Sequence, residues 1–180
     1  MVTRTGRRME AGRFDAFRLA ARGEVFAGEL EVADLARVGE RLASKDRPSK
    51  VAWAIEGGQD DLGRPMITLT VRGSLPLVCQ RCLQPCDVRV DQRSELLLAH
   101  DEAELRRLDA DEREVVLASA PIDARTLVED ELLLSLPFSP MHSQAECPAS
   151  SHKETQQSGR TLPFKELAAM KKRRGGTLEE

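Results

Sequence analysis

Apolar and polar positions alternate through much of the middle of the chain, and the pattern changes to helical spacing in two places. Residues 25–30 alternate and predict a half-buried strand. Leu35, Val38 and Leu42 recur at three- and four-residue spacing, so 34–43 reads as an amphipathic helix with Asp34 as its N-cap. Residues 51–55, which carry Trp53, and the β-branched run 66–71 predict two more strands on either side of a glycine-rich turn at 57–63. Residues 74–78 and 88–98 predict one strand entering and one leaving a short polar connection. Residues 101–108 read as a short acidic helix or loop, and 114–118 as an edge strand.

The clearest helix spans 122–136. Asp123 caps it, Ile122 and Leu127 take the two positions of a hydrophobic staple, and Pro137 stops it. At about 100° per residue, Leu127, Val128, Leu132, Leu134 and Ser135 share one broad side. Glu131 falls near the middle of that side, while Glu129 and Asp130 fall outside it. A carboxylate so placed needs a partner or a raised pKa, and Arg81 is the candidate partner. The expected fold is therefore α+β: an antiparallel sheet with a long helix packed on it and flexible basic termini. The chain divides into a disordered arm (1–12), a single α+β domain (13–140), a polar linker (141–162) and a basic amphipathic tail (163–180).

Composition narrows this picture. A chain of 180 residues suits one domain, and with aromatics at 3% and no tyrosine its core must be built from Leu, Val, Ile and Ala. The net charge is −3 but segregated, with basic ends and an acidic stretch at 101–114, so any basic binding surface is local. No apolar run is long enough to span a bilayer and no secretory signal is visible, which predicts a cytoplasmic protein with no membrane partner.

The candidate chemistry lies in the connection at 77–86, which reads LVCQRCLQPC. Cys79 and Cys82 have the C-x-x-C spacing that supplies two zinc ligands from one turn. His142 and Cys147 offer two more donors about sixty residues on, and Cys86 is able to replace either. Three readings stand: a metal site, a structural pair of thiols, or a redox pair. The last calls for a βαβ setting, whereas this one is strand–turn–strand. The phosphate-binding, dinucleotide, metalloprotease and serine-hydrolase motifs are all absent, so no enzyme or small-molecule substrate is expected.

Three segments together resemble the YceD family, the large ribosomal RNA subunit accumulation proteins. They are Cys79-Gln-Arg-Cys82 with Pro85; Asp123 with the following run to Pro137, then Pro140, His142 and Cys147; and Pro163-Phe164 with Leu167-Ala168 and a basic end. The family's recurring positions correspond here to Cys79, Cys82, Glu129, Asp130, Glu131, His142 and Cys147. Cys86 departs from its pattern, which leaves Cys79, Cys82, His142 and Cys147 as the coherent ligand set for zinc. The resemblance implies a non-enzymatic factor that promotes 23S rRNA accumulation and large-subunit assembly, with rRNA, assembly intermediates or a ribosomal protein as partner. In the tail, Lys171, Lys172, Arg173 and Arg174 are the candidate RNA- or partner-binding residues. The alternative is a thiol-based redox or chaperone-like protein using Cys79 and Cys82.

Overall fold

A computed structural model describes residues 7–8, 12–110, 114–143 and 146–147. Most of the 1–12 arm, the linker beyond Cys147 with His152, and the 163–180 tail with Lys171, Lys172, Arg173 and Arg174 lie outside the described residues.

The elements in order are β1 (Arg7–Arg8), β2 (Arg13–Phe14), α1 (Ala16–Arg22), β3 (Val25–Glu31), a 3-10 turn (Val32–Asp34), α2 (Ala36–Gly39), β4 (Lys50–Gln59), β5 (Pro65–Val78), β6 (Pro85–Ala99), α3 (Glu102–Asp109), β7 (Val115–Leu117), β8 (Ile122–Asp123) and α4 (Ala124–Ser135). The main sheet has the order β1-β3-β4-β5-β6-β7, and β2 pairs with β8. The α+β class holds. The sheet is antiparallel from β3 to β6, but both edge strands run parallel to their neighbours.

The strands are longer than the alternation suggested. β5 runs straight through Gly73, joining the two segments at 66–71 and 74–78. β4 continues through Gly57 and Gly58, the first two residues of the expected turn, because α1 lies directly on Gly57: a Cβ there would sit 2.1 Å from the Leu19 carbonyl oxygen. α1 itself ends at Gly23, whose φ of 57° is the left-handed value that glycine adopts without strain.

The expected helix over 34–43 is a 3-10 turn followed by the single turn of α2, and Asp34 does not cap it. Val32, Leu35, Val38 and Leu42 still face the core, so the apolar spacing was right and the regular helix was not. The helix expected over 122–136 is α4, 12 residues and about three turns, and among the described residues it is the longest helix. Asp123 caps it as expected, its Oδ1 accepting the Arg125 and Thr126 amides at 2.9 and 3.2 Å.

One face of the sheet buries Val51, Trp53, Ile55, Ile67, Leu69, Val71, Leu75 and Leu77 against the helices, together with Val128 and Leu132 of α4. Burying side chains of this size contributes about 2 kcal/mol each, and this layer is the main source of stability. It also holds β5 and β6 rigid up to their shared tip, where the cysteines lie. Leu42 bridges to Leu77 next to that tip.

Candidate metal centre

β5 ends at Val78 and β6 begins at Pro85, so 79–84 forms the turn between them. The Cys79 amide donates to the Gln84 carbonyl at 2.9 Å and the Leu83 amide to the Cys79 carbonyl at 2.9 Å. Leu83, directly after the second cysteine, has φ 60°, a left-handed conformation that a leucine adopts only under strain.

The second half of the site comes from the chain after α4. Gln80 N donates to Pro140 O at 2.9 Å and ties the turn to this segment. His142 Nε2 donates to Pro85 O at 2.9 Å. That bond leaves the Nδ1 lone pair facing the thiols, 3.4 Å from Cys82 Sγ. The Ser143 carbonyl accepts the Glu146 and Cys147 amides at 3.2 and 3.1 Å, turning the chain back so that Cys147 is buried against Cys79 and Cys86.

One donor atom from each of Cys79, Cys82, His142 and Cys147 lies within 4.8 Å of the others. In a tetrahedral zinc site with Zn–S near 2.3 Å and Zn–N near 2.05 Å, sulfur and nitrogen ligands stand about 3.6 Å apart. The His142–Cys82 separation of 3.4 Å matches that edge. A carbonyl bound to the remote ring nitrogen is also the usual support of a metal-bound histidine. The residues fit a tetrahedral metal held by three sulfurs and one nitrogen.

The electrostatics favour the same chemistry. Burial, the largest single influence on Cys79, would raise its thiol pKa, but the amides of Cys82, His142 and Arg81 together with the Cys82 side chain outweigh it and bring the value down to about 5. Cys82 receives the Gln84 amide, which favours its thiolate, yet burial and the nearby Cys79 and Cys147 sulfurs hold its thiol above the ordinary value. The opposite shifts make Cys79 the thiol of this pair that gives up its proton more readily, and a bound cation would favour the deprotonated form of each cysteine it contacts. Burial, then the charges of Cys79, Asp87 and Cys147, raises Cys86, which is not one of the four converging donors. None of the four cysteines forms a disulfide.

The other sequence candidates lie elsewhere. Arg81 is exposed, its Nη2 3.8 Å from Met141 Sδ, and is not the partner of Glu131. Glu131 is buried at 8% exposure and accepts the Ser94 hydroxyl at 2.7 Å. Ser94 is nine residues up β6 from Pro85, roughly 30 Å of extended strand and beyond the reach of an arginine in the turn.

Glu129 was expected outside the apolar side of α4 and is instead buried at 8% exposure. Its Oε1 accepts the Arg37 and Val38 amides at 2.6 and 3.2 Å and its Oε2 the Arg37 guanidinium at 3.3 Å, while Asp130 pairs with the same guanidinium at 2.6 Å. The open N-terminus of α2, which lacks a cap of its own, draws this carboxylate inward. Leu134, assigned to the apolar side, is 83% exposed. Glu129 was legible only through the family resemblance, because a cap supplied from 91 residues away leaves no local signal.

The fold and site define a small α+β protein in which a C-x-x-C turn at a hairpin tip is clasped by a distant histidine and cysteine. Residues 67–171, more than half of the chain, match the family described as large ribosomal RNA subunit accumulation protein YceD, and the chain belongs to that family. No curated protein and no solved structure matches it. Among the described residues no helix is long and apolar enough to cross a membrane.

Proposed function

We propose that this protein is a cytoplasmic, non-enzymatic factor that promotes 23S rRNA accumulation during assembly of the large ribosomal subunit. It acts by binding rRNA or a ribosomal protein, with a zinc ion holding its clasp closed. The observation that carries the metal part is the convergence of Cys79, Cys82, His142 and Cys147, with His142 oriented through Pro85. The assembly role rests on membership of the family.

When bound, the ion supplies no reaction at this site: four protein donors fill a tetrahedron, the closed arrangement of structural zinc. Its effect is mechanical, joining the β5–β6 turn to the segment after α4. Around that joint Leu83, Phe138 and Met141 are exposed, and Arg41, Gln80 and Phe138 line a groove of about 260 Å³. Apolar side chains gathered at one end and flanked by arginines suit a partner surface, and the clasp sets its shape. The basic run Lys171, Lys172, Arg173 and Arg174 follows 24 or more residues after Cys147 and would add phosphate contacts of its own.

A redox reading has one observation in its favour, the lowered Cys79 pKa. Yet Cys79 is completely buried, and the amides that lower its pKa are equally those of a metal-bound thiolate. Metal analysis of untagged protein separates the two: about one equivalent of zinc supports the clasp, and metal-free protein that forms a Cys79–Cys82 disulfide at mild potential supports redox chemistry. Crosslinking in cells followed by sequencing of bound RNA tests the assembly role; recovery of 23S rRNA is expected, and absence of any rRNA enrichment over a non-binding control overturns direct RNA contact.

A further inference from the structure

β6 is 15 residues long, but β7 pairs only with Leu97, Leu98 and Ala99 at its end. The register with β5 is unbroken from Val78 opposite Pro85 to Met66 opposite Leu97. In such a ladder alternate residues turn their N–H and C=O toward the neighbour and away from it. The hydrogen bonds on the far side identify the outward set: Pro85 O accepts from His142 Nε2, Leu97 N donates to Glu114 O, and Ala99 O accepts from Ala118 N. The odd-numbered residues therefore face outward. Between those anchored ends, Asp87, Arg89, Asp91, Arg93 and Glu95 have no outward backbone partner among the described residues.

An open edge of this length is a template for another strand. Its side chains indicate which one. Asp87, Arg89, Asp91 and Arg93 are exposed and alternate in sign. Laid antiparallel against a second copy about a two-fold axis at Val90, Asp87 meets Arg93 of the second copy and Arg89 meets its Asp91. This register brings outward residues opposite outward residues, so the free backbone groups pair as well. Centring the axis on Asp91 would set Arg89 against Arg93, like against like. Centring it on Gln92 would also set acid against base, Asp91 with Arg93 and Arg89 with Glu95, but it drives Asp87 onto Leu97, where β7 already occupies the edge. About Val90 the only end contact is Glu95 beside Pro85, and the mixing experiment below separates the two registers. We propose that the outward edge of β6 pairs with the same edge of a second copy, antiparallel about Val90, to form a symmetric dimer with one continuous sheet. The in-chain pairs Arg47–Asp87 and Arg72–Asp91 are more than half exposed and leave these carboxylates open to a second arginine.

Sedimentation velocity on the full chain tests this. The wild type is expected to be dimeric, while Arg89→Asp and Asp91→Arg each sediment as monomers, because each sets like charges across the axis. An equimolar mixture of the two variants should recover the dimer, since every crossed pair is then acid against base, and that recovery also shows that both variants are folded. A monomeric wild type overturns the proposal, and so does a dimer that both substitutions leave intact. Monomeric variants whose mixture stays monomeric also overturn the proposed register.

Discussion

His142 Nδ1 stands 3.4 Å from Cys82 Sγ although 60 residues separate them in the chain. Pro85, three residues beyond Cys82, holds the other ring nitrogen. The hairpin tip thus supplies both the thiol beside the imidazole and the carbonyl that orients it. His142→Ala is expected to weaken zinc binding by more than about 100-fold, since it removes a ligand where loss of an outer support alone costs up to that much. Competition with a chromophoric chelator measures this. Cys86→Ala, by contrast, should leave metal stoichiometry unchanged, because Cys86 is not one of the four converging donors.

Glu129 caps α2 from α4, so Glu129→Ala should destabilise the fold by about 2–3 kcal/mol, combining a lost cap with the buried Val38 amide left unpaired. Urea unfolding at neutral pH reads this directly.

The same carboxylate gives a pH dependence. Burial alone would raise its pKa; the Arg37 and Val38 amides and the Arg37 guanidinium outweigh burial and hold it below the ordinary value of 4.5. A group depressed in the folded state contributes its stability fully above the unfolded pKa and loses it as pH falls through the folded one. Wild-type stability should therefore decline below about pH 4.5 more steeply than that of Glu129→Gln, and the two curves should converge in acid. Parallel curves would mean that Glu129 does not contribute this dependence.

Leu83 has a left-handed backbone and an exposed side chain. Leu83→Gly should relieve the strain and stabilise the protein by up to about 1 kcal/mol, less the extra freedom glycine gains when unfolded. A rise in Tm with unchanged metal content is the expected result.

Replacing Lys171, Lys172, Arg173 and Arg174 with neutral residues should weaken RNA binding and flatten its dependence on salt, since each lost phosphate contact removes about one unit of slope. Affinity unchanged at low and moderate salt would exclude the tail from binding.

By itself the sequence determined what local chemistry determines. Alternation placed the cores of β3 to β6, Asp123 and Pro137 bounded the helix between them, and the C-x-x-C spacing marked the turn. It also contained the four candidate donors, which the family resemblance grouped as Cys79, Cys82, His142 and Cys147 and which the fold brings within 4.8 Å of one another. Only the tertiary structure decided that Gly57 lies inside a strand, because the reason is the Leu19 backbone resting on it. Only packing turned Glu129 inward, since the amides it satisfies lie 91 and 92 residues away and exert no influence on α4 until α2 docks. The clasp has the same origin. Spacing along the chain gives two thiols at one turn, but bringing an imidazole and a third thiol to them across sixty residues requires α4 seated on the sheet and Pro140 bonded to Gln80, and both depend on the folded core.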